Sequence, residues 1–222
     1  MPKVKLPKKI LQIPNADKEF QEKWKVGDDQ LDFPHSFRAL LCSTPSCGKT
    51  TVIKNLILRQ EPPFEEVIVI HCDPDYTQEY TDVTDTILDK IPSPSEWTGD
   101  CKTLVVLEDL EFKGMNKTQK YNLDRLYGFC SSHKNISVVC AVQDCFSVPP
   151  SIRRMSNVYI FWRTPDLDSL YMIARKSGID SDTFKEIFRT LIKTKYDSLW
   201  IDNTDGTPYP LRLNGYYNII ES

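Results

Sequence analysis

Apolar and polar positions along the chain follow two rhythms. Short, nearly continuous apolar runs alternate with longer stretches in which apolar residues recur every three or four positions. The first rhythm belongs to strands buried on both faces, the second to helices that cover them. "SFRALLCS" (36–43), "EEVIVIHC" (65–72), "KTLVVLEDL" (102–110), "NISVVCAVQD" (135–144) and "SNVYIFWR" (156–163) read as strands. "TTVIKNLILRQ" (50–60), "NKTQKYNLDRLYGFCSSH" (116–133), 166–176 and 182–194 read as helices. "YDSLWIDN" (196–203) is a late strand with Asp205-Gly206 as its turn. Breakers stand at Pro62-Pro63 and in the Ile91-Pro92-Ser93-Pro94 stretch. This alternation predicts a three-layer αβα domain with a mainly parallel sheet over 33–222. Residues 1–32 are polar, with one short amphipathic stretch at 20–24, and read as an arm.

Composition narrows the class. Of 222 residues, 40% are hydrophobic and 27% charged, and the net charge of −3 gives no global signal for nucleic acid. The basic start (Lys3, Lys5, Lys8, Lys9) and the cluster Lys113, Lys117 and Lys120 read as a solvated tail and a solvated helix face. No apolar stretch approaches the ~20 residues of a membrane helix, and Met1 to Lys5 lead into no signal-peptide core. A non-secreted protein in a reducing compartment is expected. Its seven cysteines are odd in number and form no C-x-x-C pair, so they read as small buried hydrophobes rather than a disulfide or zinc framework.

Candidate chemistry begins at "CSTPSCGKTT" (42–51), between the first strand and the first helix. It ends like a phosphate-binding loop, yet Ser43 replaces the usual first glycine. A bare G-K-[ST] occurs by chance in about one chain in ten of this length, so the tripeptide alone specifies nothing. Its place between a buried strand and a helix does. There, backbone N–H groups wrap a phosphate at a helix N-terminus. Ser43, Thr44, Pro45, Ser46, Cys47, Gly48, Lys49, Thr50 and Thr51 form the candidate cradle. Gly48 permits close approach, Lys49 reaches the β- and γ-phosphates, and Thr50 offers a hydroxyl to Mg²⁺. Ser43 and Pro45 lie ahead of the cradling amides.

A magnesium nucleotide also needs a carboxylate at a neighbouring strand end. Glu108 and Asp109 supply two: the first to face the metal, the second to orient and deprotonate a water. Gln143 ends the following strand, where an amide can touch the γ-phosphate or that water. Arg153 and Arg154, after Pro149-Pro150, are candidates for an arginine finger. His71 and His133 read as packing or capping residues.

In order and spacing, these segments resemble the poxvirus-type genome-packaging ATPases of the FtsK/HerA superfamily, found in large DNA viruses, virophages and virus-like transposons. The resemblance spans about 33–214. It rests on "FPHSFRALLCSTPSCGKTT", "EEVIVIHC", "LVVLEDL", "SSHKNISVVCAVQDCFSVPPSIRRMSNVYIFW" and "TKYDSLWID". It implies an additional-strand P-loop fold, with the Gln-tipped strand between the loop strand and the acid strand. It also implies a ring of identical subunits that hydrolyses ATP with Mg²⁺ to move double-stranded DNA into a capsid, at a portal-like vertex. Such a protein is at home in the virion and the infected host cell. On that reading Lys49, Thr50, Glu108, Asp109 and Gln143 act in cis and an arginine, Arg153 by best match, acts from a neighbour. The chain departs from the pattern at Ser43, in the order Glu108-Asp109, and at Met155 where an asparagine is expected. Two alternatives stay open: a P-loop nucleotide or nucleoside kinase, which lacks the Gln-bearing strand between loop and acids, and a nucleotide-binding assembly factor without turnover.

Overall fold

The structure is a computed structural model that describes residues 33–218 apart from Pro34, Thr77, Asp85, Pro165, Gly206, Pro208, Tyr209 and Tyr216. The expected arm, its basic residues, the stretch at 20–24 and the glycine of the expected Asp205-Gly206 turn lie outside the described residues.

Among the described residues, nine strands form one sheet. In chain order they are β1 (Arg38–Cys42), β2 (Glu66–His71), β3 (Thr86–Leu88), β4 (Thr103–Glu108), β5 (Ile136–Val142), β6 (Val158–Trp162), β7 (Ser198–Asp202), β8 (Leu211–Leu213) and β9 (Tyr217–Asn218). Their spatial order is β3-β2-β4-β5-β1-β6-β7-β8-β9. Pairing is parallel from β3 through β6 and antiparallel from β6 to β9. β5 therefore stands between the loop strand β1 and the acid-tipped β4. That is the additional-strand order, and it excludes the kinase arrangement, in which no strand intervenes.

Side chains of β1 alternate between two cores because successive Cβ atoms point to opposite faces of a strand. Leu40 and Cys42 join a core with Val138, Cys140, Leu126, Tyr127, Ile173 and Phe184. Ala39 and Leu41 join one with Val139, Ile53, Leu56, Phe33 and Trp200. The second face is covered by α1 (Lys49–Arg59), whose Ile53, Leu56 and Ile57 are buried. The first is covered by α2 (Lys117–Arg125), α3 (Pro150–Met155), α4 (Leu167–Ser177) and α5 (Ser181–Leu191).

α2 runs on through a wide π turn, Leu126–Cys130, into a last helical turn, Ser131–His133. The Arg38 guanidinium donates to the Tyr127 carbonyl inside that turn at 3.1 Å, tying the helix to the foot of β1. His133 packs its ring on Phe129 at 4.8 Å, the packing role expected of it. β3, α3, β8 and β9 have no clear periodicity in the sequence. They span two to six residues, too short to show one.

Arg212 of β8 is 1% exposed and lies over the rings of Phe33 and Trp200, at 4.6 and 5.9 Å. Its Nη2 meets Asp202 Oδ2 at 3.4 Å, also buried. Removing one partner of a buried ion pair leaves the other charge desolvated, which costs more than the pair contributes. Arg212→Ala should destabilise the fold by about 3–5 kcal/mol, read as a lowered urea midpoint. An unchanged midpoint would count against this account of the pair.

Candidate nucleotide-binding site

The loop leaves the sheet at its centre. Cys42, the last residue of β1, is in register with Val142 of β5 and Phe161 of β6. Ser43 N still donates to the Val142 carbonyl at 3.2 Å. Beyond it the backbone turns left-handed at Ser46 (φ 60°) and Gly48 (φ 98°). A Cβ on Gly48 would meet nothing within 4 Å, so backbone conformation rather than space calls for glycine there. Ser43 is not among the residues with positive φ. A side chain at that position therefore costs no backbone strain, which is why the missing first glycine is tolerated.

Cys47 Sγ meets Thr44 Oγ1 at 3.1 Å and fastens the loop from within. α1 then starts at Lys49 with neither a side-chain cap nor an acid in its first turn. Its first amides and the positive end of its dipole are thus left to an incoming anion. Lys49 Nζ folds back onto the Ser43 carbonyl at 3.1 Å and the Ser43 hydroxyl at 3.3 Å.

Glu108 ends β4, in register with His71 of β2 and Ala141 of β5. It is 5% exposed. Thr50 Oγ1 donates to its Oε1 at 3.5 Å, while its Oε2 is buried without a hydrogen-bond partner. Tyr80, fully buried, lies against this carboxyl, although its hydroxyl closes no hydrogen bond of standard geometry. Burial raises the Glu108 pKa above the usual carboxylate range. The Tyr80 hydroxyl and Lys49 oppose the rise, and the charges of Glu79 and Asp109 add to it. The Tyr80 phenol is itself pushed well up, by burial and then by the charge of Glu108.

A buried carboxylate oxygen lacking a partner, beside a threonine hydroxyl, suits a hard divalent cation. Among the described residues no three His, Cys, Asp or Glu side chains gather around a metal position. Thr50 and Glu108 would thus share Mg²⁺ with phosphate oxygens and water, its usual manner of binding.

Asp109 leaves the strand with φ 49° and is exposed, its N–H reaching the Ala141 carbonyl at 3.4 Å. Gln143 lies one residue beyond β5 and is also exposed. Both line a cleft of about 430 Å³ with Glu108 and the loop residues Pro45, Ser46, Gly48, Lys49, Thr50 and Thr51. Ser43 and Cys47 are buried behind the loop.

The arginines of α3 are not among the residues lining this cleft. Arg153 is half-buried: its Nε donates to the Val148 carbonyl at 3.1 Å, its Nη1 lies 2.9 Å from Met172 Sδ, and its guanidinium covers the Phe146 ring. Arg154 is exposed. Arg153, the better match by sequence, is thus occupied within its own chain, and Arg154 is the more available of the two.

Three residues of the site carry no sequence signal. Glu79 lines the cleft and Tyr80 lies behind Glu108; both come from the 3₁₀ turn Gln78–Tyr80, in a stretch without periodicity. That turn is moored to α1, where Lys54 donates to the Glu79 carbonyl and pairs with Asp82. Tyr196 lines the cleft from the turn before β7, where the sequence pattern merges it and Asp197 into the strand.

The raised Glu108 pKa has a consequence for stability. A carboxyl held above its unfolded-state pKa lends stability that is complete below that value and is lost as pH rises through the folded one. At pH 7 Glu108→Gln should therefore melt above the wild type, by about 2–4 °C for each 1 kcal/mol relieved. The gap should close as the pH falls below the ordinary carboxylate range. Calorimetry across that range checks it, and a lower melting temperature for the variant at pH 7 would contradict the assignment.

No protein-family model matches the sequence, and no curated protein matches it. Solved structures do match. The genome packaging NTPase B204 from Sulfolobus turreted icosahedral virus 2, in complex with sulfate, aligns with a TM-score of 0.57 at 14% identity, over 86% of this chain and all of that one. B204 in complex with AMPPCP gives 0.55 at 13% identity, over 80% of this chain and 96% of that one. The pCW3 conjugation coupling protein TcpA, in its monomer form with ATPγS, gives 0.50 at 15% identity, over 83% of this chain and 61% of that one. At these identities the likeness is one of fold. The chain has the additional-strand P-loop NTPase fold, shared with the viral genome packaging NTPase B204.

Proposed function

We propose that the chain is a Mg²⁺-dependent ATPase that translocates double-stranded DNA. Specifically, we propose a viral genome-packaging motor that works as a ring of identical subunits at a capsid or portal-like vertex, in the infected cell and the virion. The observation that carries the nucleotide half of this reading is the unpartnered, buried Oε2 of Glu108. It lies beside the Thr50 hydroxyl, under a loop whose helix N-terminus carries no cap. The DNA half is supported by the fold shared with B204, a genome packaging NTPase, and with TcpA, a conjugation coupling protein.

In this reading the amides around Gly48 and at the start of α1 hold the phosphates, and Lys49 swings from Ser43 to the β- and γ-oxygens. Thr50 and Glu108 hold Mg²⁺, which when bound offsets charge on the phosphate chain. Gln143 orients the attacking water and Asp109, the accessible acid, accepts its proton. An arginine of α3 from an adjacent copy, Arg154 by its exposure, completes the charge stabilisation at the γ-phosphate.

Purified protein should hydrolyse ATP only with Mg²⁺, faster with duplex DNA, and Lys49→Ala should lose at least a hundredfold of that rate (an order-of-magnitude figure for a phosphate-clamping charge). Full activity in that variant would overturn the site. Tight ATP binding without turnover, with or without DNA, would replace the motor by a nucleotide-binding assembly factor. Ser43→Gly removes one acceptor that competes for Lys49 and should tighten ATP binding by about two- to tenfold. Calorimetric titration that shows weaker binding would contradict the role given to Ser43.

A further inference from the structure

One wall of the cleft is aromatic. Tyr196 is 62% exposed and lines the same space as Lys49 and Thr50. Of the other exposed aromatics, Phe146 lies under Arg153 and Tyr171 under Lys185, and Tyr121 does not line the cleft.

The turn that presents Tyr196 is fixed. Asp197 Oδ2 accepts the N–H groups of Lys193 and Thr194 at 2.9 and 2.6 Å, and its Oδ1 accepts from Asn214 at 3.4 Å. Tyr196 N donates to Thr194 Oγ1 at 3.3 Å. Lys195 Nζ sits over the ring at 4.7 Å.

Sheet topology sets the ring's place. β7 is antiparallel to β6, with Ser198 opposite Trp162, so the turn before β7 returns to the rim where the loop lies. β7 stands two strands from β1, roughly 10 Å away, on the side opposite β5 and β4. The cleft thus runs from carboxylates at one end, past the phosphate loop, to an exposed ring at the other. A nucleoside triphosphate has the same polarity, charge at one end and a flat π-face at the other.

We infer that Tyr196 is the nucleobase-stacking residue of this site, holding a purine on its ring while the loop holds the phosphates. The inference rests on the ATP-site reading above. A π-face accepts any base, so the residue adds affinity with little choice between adenine and guanine.

Binding of Mg-ATP and of Mg-tripolyphosphate, which has no base, separates the two ideas when measured on wild type, Tyr196→Ala, Tyr196→Phe and Lys49→Ala. Tyr196→Ala should weaken ATP by about tenfold and leave tripolyphosphate unchanged. Tyr196→Phe should keep both, and Lys49→Ala should lose both. Wild-type affinity for ATP in Tyr196→Ala, or an equal loss of tripolyphosphate, would overturn the stacking role and leave the phosphate site standing. If the wild type bound neither ligand, the ATP-site reading would fall with it.

Discussion

Parallel pairing of β1, β5 and β4 is the constraint on which the site depends. In that ladder Cys42 aligns with Val142, and Ala141 with Glu108. Three strands far apart in sequence therefore end on one rim. The phosphate loop and Gln143 follow two of those ends, and the acid pair straddles the third. A slip of one residue would turn each strand's side chains to the opposite face. Both faces of β1 are buried in separate cores, so such a slip would mismatch two packed layers at once. Core packing thus fixes the register, and the register fixes the chemistry.

The site's polar groups are held in tension. Glu108 is kept out of water with one oxygen unmatched, Tyr80 leans on it from below, and two more carboxylates raise the local negative charge. Lys49, at the cleft's edge, is held by the carbonyl and hydroxyl of Ser43. A cation and a polyphosphate would relieve both conditions together, the metal matching Glu108 and the phosphates matching Lys49. On the proposed reading, each ligand would make the other's place more favourable.

Much of this was legible in the sequence, for physical reasons. Strands buried on both faces must be apolar throughout, so β1, β4 and β5 show as runs, and a loop that grips phosphate needs Gly48 and Lys49 in sequence. The placing of Glu108 and Gln143 on adjacent strands followed from the resemblance and agrees with the observed order. What stayed hidden acts through space. Tyr80 reaches Glu108 from a turn with no pattern, and Tyr196 gains its place only because β7 reverses direction. Arg153 matches the expected pattern by position, yet its engagement with Val148, Met172 and Phe146 depends on how α3 packs, which no spacing encodes. Ser43 departs from the motif without harm, since the left-handed turns fall at Ser46 and Gly48 instead.

The sheet ends on the β2 side at β3, three residues long and only half-exposed. An edge so short offers an approaching strand few backbone groups to pair with. On that side, contact with other molecules is therefore left to side chains on helices and loops. Contacts made by side chains alone can part and re-form without disturbing the core. An assembly built on them can exchange neighbours repeatedly, where one built by extending the sheet would be committed at its first encounter.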